Sequence, residues 1–171
     1  MTIFKLMRIV VLLSILFVIV VGTWMTERRL ASWDRPTLIT VYPIVADNDI
    51  EVLRYATAVD ESTFKPVNDF FERESRPYGF KLSPAFRFQV ADVSDELPPE
   101  IPGMFSTFEI AVWSLKMRWW TWQKSRSDGL IKGDIQMFMV YRGSNAQSEV
   151  EISVGMRKGR YGIVKAQASA A

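Results

Sequence analysis

Phe108-Glu-Ile-Ala-Val-Trp-Ser-Leu-Lys-Met-Arg-Trp-Trp-Thr-Trp122 supports two periods at once. Ile110, Trp113, Met117 and Trp120 recur at helical spacing, whereas Trp113, Leu115, Met117 and Trp119 alternate as in a strand. The segment is long for a strand and lies between two better strand candidates, so it reads as a helix. With that choice the chain alternates strands and helices, the pattern of an α/β (α+β) fold with helices packed on a sheet in two or three layers. The helical reading makes Ile110, Trp113, Met117 and Trp120 a buried face, from which Trp119 and Trp122 fall away.

The flanking strand candidates are Phe86-Arg-Phe-Gln-Val90, which alternates apolar and polar residues, and the apolar run Ile135-Gln-Met-Phe-Met-Val-Tyr141. Leu97 to Pro102 is a proline-rich loop. Further upstream, Thr37-Leu-Ile-Thr-Val-Tyr42 is rich in β-branched and aromatic residues and is expected to stop at Pro43. Asp47-Asn48-Asp49 marks a turn, and Ile50 to Val59 fits neither period. Thr63 to Ser75 is expected to be helical, with Phe64, Val67, Phe70 and Phe71 on one face. Ser62 or Asp60 can cap it, Pro66 suits its first turn, and Pro77 and Gly79 end it. Gly162-Ile-Val-Lys-Ala-Gln167 is the last strand candidate, and the chain has no internal repeat.

The N-terminus is of another kind. Ile9 to Gly22 is uncharged and almost wholly aliphatic, and extension to Met25 gives 17 residues, the lower limit for a membrane-spanning helix of about 17–25. Ile3, Phe4, Leu6 and Met7 add a turn, with Lys5 and Arg8 reaching toward head groups. Ile9, Leu12, Leu16, Phe17, Val20 and Trp24 are the expected lipid-facing residues, with Trp24 at the interface. A cleaved signal peptide has the same basic start and apolar middle, but Val20, Val21, Gly22 and Thr23 match a small-x-small cleavage site only loosely. The expected organisation is therefore an anchor over residues 1–26, a polar linker over 27–36 and one globular domain over 37–171. Lys5 and Arg8 before the span nearly balance Arg28, Arg29 and Arg35 after it. A short N-terminal tail ordinarily stays in the cytoplasm, which places the globular part on the periplasmic side of the cytoplasmic (inner) membrane.

Composition narrows the function. Hydrophobic residues make up 49% of 171 residues, and the net charge of +2 is too small to argue for nucleic acid. The charge is unevenly spread. Asp47 to Glu74 holds eight acids against Arg54, Lys65 and Arg73, whereas Lys116 to Lys165 holds ten bases against four acids. That asymmetry suits anionic lipid or an acidic partner, and equally an ordinary solvated surface. Neither histidine nor cysteine occurs, which removes the commonest general base, the commonest metal ligand, and any Ser/His or Cys/His pair. There is no phosphate-binding G-x-x-x-x-G-K-[ST] loop. The glycines and bases from Gly155 to Gly162 read as a hairpin with a basic tip. Asp47, Asp49 and Glu51 lack the spacing of a calcium loop and read as a turn with a helix cap, and Glu72 and Glu74 point to different helix faces. No catalytic, cofactor-binding or metal-ligating residue is therefore expected, and no cofactor.

Trp113 to Arg126 holds four of the six tryptophans, with Lys116, Arg118, Lys124 and Arg126 among them. Tryptophan beside lysine and arginine is favoured both in lipid head-group regions and at protein interfaces; packing in the core is the third use of such a segment. Trp119, Trp122, Lys116, Arg118 and Arg126 are the candidate interaction residues.

Five stretches together resemble a set of bacterial single-anchor proteins of unknown function that end in a zinc-peptidase-like segment. They are Val41-Tyr-Pro-Ile-Val-Ala-Asp47, Phe70-Phe-Glu-Arg-Glu-Ser-Arg-Pro-Tyr-Gly79, Leu97-Pro-Pro99, Val112-Trp-Ser-Leu-Lys-Met-Arg-Trp-Trp120, and Ser153-Val-Gly-Met-Arg-Lys-Gly159 with Gly162-Ile-Val164. The family's H-E-x-x-H helix has no counterpart up to Ala171, so no metal ligand is carried over. The resemblance implies a zincin-like half-domain without its active-site helix. Three functions are then expected in order: a non-catalytic, membrane-anchored accessory subunit that contacts other subunits of a membrane complex; the N-terminal portion of a membrane-anchored zinc metallopeptidase; and a domain that binds anionic lipid surfaces.

Overall fold

The computed structural model describes residues 3–31, 35–47, 49–79, 84–102, 106–143, 153–155 and 160–168. The chain divides into two units, Met1–Arg35 and Pro36–Ala171.

The first unit is one helix, α1, over Ile3–Ala31. Its Ile3–Gly22 part has a mean hydropathy of 2.7 and is long and apolar enough to cross a bilayer, as an anchor or as a signal sequence would be. Ile9, Leu12, Leu16, Phe17, Val20 and Trp24 all point outward. The Ser14 hydroxyl donates to the Val10 carbonyl at 2.8 Å, which satisfies it within the helix. Arg28 stacks over Trp24 with Cζ 3.8 Å from the ring centroid. The linker expected from residue 27 begins later, because α1 continues through Ala31. Glu27 to Ala31 are strong helix formers with no glycine or proline among them, so each adds a hydrogen bond at little cost. Residues 32–34 of that linker lie outside the described residues.

The second unit runs β1 (Thr37–Val45), α2 (Ile50–Thr57), a 3-10 turn (Glu61–Phe64), α3 (Lys65–Ser75), a second 3-10 turn (Arg76–Tyr78), β2 (Phe86–Val90), α4 (Thr107–Ser127), β3 (Ile135–Gly143), β4 (Val154–Gly155) and β5 (Tyr161–Ala168). One sheet has the order β2-β1-β3-β5-β4. Its first four strands are parallel, and β4 closes one edge antiparallel to β5. The expected hairpin near Gly155 is this β4–β5 pair, and its basic tip at 156–159 lies outside the described residues.

Parallel strands are joined by crossovers that cover both faces of the sheet, and the burial follows from that. On one face Tyr42 and Ile44 of β1, Phe138 and Val140 of β3, and Tyr161 and Ile163 of β5 pack against Trp113 and Met117 of α4. On the other, Ile39 and Val41 of β1 and Phe88 of β2 pack with Phe64, while Val52 and Ala56 of α2 cover Tyr141. The layers are α2 with α3, the sheet, and α4. Burial pushes the phenols of Tyr42 and Tyr141 up to about 12, helped at Tyr42 by Asp128 and at Tyr141 by Tyr55.

Three local readings change. β1 does not stop at Pro43 but runs through it to Val45, with Pro43 opposite Met139 of β3. Val41, Pro43 and Val45 direct their backbone groups away from β3: Val41 accepts from Ala91, Pro43 accepts from Ser94, and Val45 donates to Ser94. On that side β2 has already ended at Val90, so the missing N–H of Pro43 breaks no strand ladder. Ile50 to Val59, which fits neither period, forms α2 over Ile50–Thr57, started by Asp49, whose carboxylate accepts from the Glu51 N–H at 2.8 Å. Asp60 caps the turn before α3 by accepting from the Thr63 N–H at 3.1 Å. Only Phe64 of the expected apolar face of α3 is buried, whereas Val67, Phe70 and Phe71 stay 38–49% exposed, Phe71 with its ring edge-on to Phe86.

Two positions with no sequence signature hold the sheet. Asn68 of α3 presents its side-chain amide to β2 as a strand would. Its Nδ2 donates to the Phe86 carbonyl and its Oδ1 accepts from the Phe86 N–H, both at 2.9 Å. Gly133 is buried against β1, where a Cβ would overlap Thr40 Oγ1 and lie 2.9 Å from the Ile135 carbonyl oxygen. Thr40 is itself held by Gln89, whose Nε2 donates to it at 2.6 Å. Gly133→Ala should therefore destabilise the full chain by about 1–3 kcal/mol through overpacking. The expected readout is a lower urea midpoint at unchanged slope, followed by tryptophan fluorescence in detergent micelles; an unchanged midpoint contradicts the close packing.

Candidate interaction surface

Helix α4 starts at Ser106, whose hydroxyl accepts from the Glu109 N–H at 3.2 Å, a cap that fixes the frame of the tryptophans that follow. At 3.6 residues per turn, Trp113, Met117 and Thr121 fall on one side, and all three are buried. Trp120 is half-buried and sets its ring edge-on to Phe138 at 4.8 Å. Ile110 departs from the expected buried face: it is 39% exposed, since the sheet meets α4 from Trp113 onward.

The inner tryptophans are also tied by hydrogen bonds to the loop after β2. Trp113 Nε1 donates to the Pro99 carbonyl at 3.1 Å, and Trp120 Nε1 donates to Glu96 Oε1 at 3.0 Å. Lys124 reaches the same loop, donating to Ser94 Oγ at 2.7 Å and to Glu96 Oε2 at 3.1 Å. Indole N–H groups and an ammonium near the core need such partners. Lys124 is thus an internal clamp, unlike the other three bases of the helix.

The opposite side of α4 is also apolar. Phe108 is 78% exposed, Leu115 66%, Trp119 66% and Trp122 46%. Steps of seven, four and three residues set them in one stripe along the helix, diametrically opposite Met117. Trp119 and Trp122 lean together with ring centroids 5.2 Å apart. Arg126 continues the stripe, with Cζ 5.3 Å from the Trp122 ring centroid. Lys116 and Arg118 are exposed and border the stripe on its two sides. All five candidate interaction residues, Trp119, Trp122, Lys116, Arg118 and Arg126, therefore share one exposed side of α4. Phe108 and Leu115 belong with them but were not expected. The seven-residue step Phe108–Leu115–Trp122 is the signal in the sequence that finds them. Beside the stripe, Pro99, Pro102, Phe108, Val112 and Lys116 line a groove of about 500 Å³ between the loop and α4.

A second concavity, of about 380 Å³, opens at the carboxyl ends of β1 and β2 among Asp47, Asp49, Ile50, Leu53, Ser94 and Asp95. Open parallel sheets often bind ligands at this end. Here, however, two of its carboxylates serve the backbone: Asp49 caps α2, and Asp47 accepts from the Gly143 N–H at 3.0 Å. Among the described residues no group of three or more potential ligands is placed to hold a metal ion.

No family model matches the chain, and no curated protein or solved structure is detectably similar to it.

The two sides of α4 predict opposite outcomes for two tryptophans of one helix. Trp113→Ala should cost about 3–5 kcal/mol of stability, as truncation of a buried aromatic does. Trp122→Ala should leave stability within about 0.5 kcal/mol, as at an ordinary surface site. Paired urea titrations of the full chain in micelles measure both; equal losses would mean that the outer side is covered within the monomer.

Proposed function

We propose that this chain is a non-catalytic, membrane-anchored accessory subunit that docks onto another subunit of a membrane complex through the outer face of α4. The observation that carries the reading is the stripe of Phe108, Leu115, Trp119 and Trp122, exposed on a helix whose other side is already in the core. A monomer rarely leaves a contiguous aromatic patch in water. Tryptophan and arginine together are the residues that dominate interface energetics when a partner removes the solvent. Helix α1 supplies the attachment. Its 29 residues extend for about 43 Å at 1.5 Å per residue, more than the roughly 30 Å hydrocarbon core. The final turns thus reach the head-group layer, where Trp24 and Arg28 are suited to lie. The domain is assigned to the extracytoplasmic side.

The chain's own residues favour binding over chemistry. Without histidine or cysteine, a nucleophile and its base would have to come from serine, threonine, lysine or carboxylates. The carboxylates with assigned partners at the carboxyl end of the sheet are engaged with backbone N–H groups.

The test is a photoreactive amino acid at Leu115 in the full chain, irradiated in native membranes before extraction in mild detergent. Defined protein adducts are expected, together with partners that remain through purification. Adducts with lipid alone would assign the face to head groups instead, in keeping with Lys116, Arg118 and Arg126 beside the tryptophans. A chain that forms no adduct and runs as a monomer in every detergent overturns the docking role.

A further inference from the structure

We propose that the partner on the outer face of α4 is a second copy of this chain, presenting the acidic aromatic face of α3. The proposal rests on reading α4 as a docking surface and names what docks there. The three layers put α3 and α4 on opposite sides of the sheet. Both helices leave large apolar side chains partly in solvent: Phe108, Leu115, Trp119 and Trp122 on α4, and Val67, Phe70 and Phe71 on α3, where Phe71 also sets its ring edge-on to Phe86 of β2. On α3 these rings already form an ordered patch, with Phe70 and Phe71 edge to face at 5.5 Å and Arg73 Cζ 5.8 Å from the Phe70 centroid.

Charge selects between the possible pairings. Helix α4 carries Lys116, Arg118, Lys124 and Arg126 against Glu109 alone, while Asp60 to Ser75, the turn and α3 that follows it, carries five acids against Lys65 and Arg73. Lys124 is held by Glu96. Among the described residues, Lys116, Arg118 and Arg126 have no carboxylate partner, and Glu61 and Asp69 have no basic one. Stacking α4 on α4 would set like charges against each other around the tryptophans. Stacking α4 on α3 sets bases against acids around two apolar centres, which is the complementarity that fixes orientation in an interface.

Because the two surfaces differ and lie on opposite sides of the sheet, the contact is head to tail. Each copy then offers one α4 face and one α3 face, and the assembly grows as a row or closes as a ring.

The experiment uses the full chain in detergent and in reconstituted membranes. Sedimentation of the unsubstituted chain should show association that rises with protein concentration and weakens with salt. The chain has no cysteine, so introduced ones report alone. Gln123→Cys lies beside Trp119 and Trp122, and Val67→Cys lies on the α3 patch. An oxidised mixture of the two single variants should give a disulfide dimer containing one of each, and the double variant a ladder of multimers. Lys116→Glu, Arg118→Glu and Arg126→Glu together should weaken self-association by about tenfold or more. Adding Glu61→Lys and Asp69→Lys to the same chain should recover association. A dimer of Gln123→Cys with itself overturns the proposal in favour of α4 against α4. A sedimentation profile that stays monomeric at all concentrations also overturns it. In that case a protein adduct at Leu115 keeps the docking role with a different partner, whereas no adduct removes both.

Discussion

β1 has no wet face. Val41 and Ile44 point to opposite sides of the sheet and both are fully buried, with the neighbouring Thr40 and Pro43 almost as deep. A strand in that position must be flanked by two others and covered twice. Parallel neighbours require long crossovers, and helices are what fill them. The whole second unit follows: Phe64 shields Ile39 and Val41, α2 covers Tyr141 and Val45, and α4 shields Tyr42 and Ile44. Since a single sheet face needs only one side of α4, the composition of the other side is left open to another use. That side is occupied by tryptophan, leucine and phenylalanine rather than by the polar residues of an ordinary surface helix.

The loop after β2 has an equal share in this division. By taking the indole protons of Trp113 and Trp120 and the ammonium of Lys124, Pro99, Glu96 and Ser94 give the inner polar groups of α4 partners within the domain. The outer residues Trp119, Trp122, Lys116, Arg118 and Arg126 are not drawn into that network. One helix therefore holds two sets of tryptophans and two sets of bases, sorted by the register that Ser106 sets at its start.

Much of this was legible in the sequence where a single period dominated. Phe86–Val90 alternates and is a strand with those bounds, and Trp119 and Trp122 fell outside the buried face as the helical period required. The reading failed where the outcome depends on a neighbour distant in sequence. Pro43 ends a strand only if an adjacent strand needs its N–H, and here β2 has ended before that point. Ile110 fits the buried face by spacing, but α4 has not yet met the sheet there. Asn68 and Gly133 are unremarkable in composition; their work is defined by Phe86 and Thr40, 18 and 93 positions away. Phe108 and Leu115 were missed for a different reason. A helix apolar on two sides carries two overlapping patterns, and the core pattern masks the outer one.

The amide of Asn68 has a consequence beyond the bonds it makes. β2 is an outer strand, and an outer strand ordinarily offers unpaired backbone groups to any extended chain that drifts past. Asn68 occupies the donor and the acceptor of Phe86, where β2 begins, and β2 is only five residues long. At the other rim the last strand is β4, of two residues. Among the described residues, the β2 rim therefore offers no long ladder for templated growth. The β2 rim is thus guarded against strand-on-strand addition, while the outer face of α4 stays open to contact of another kind.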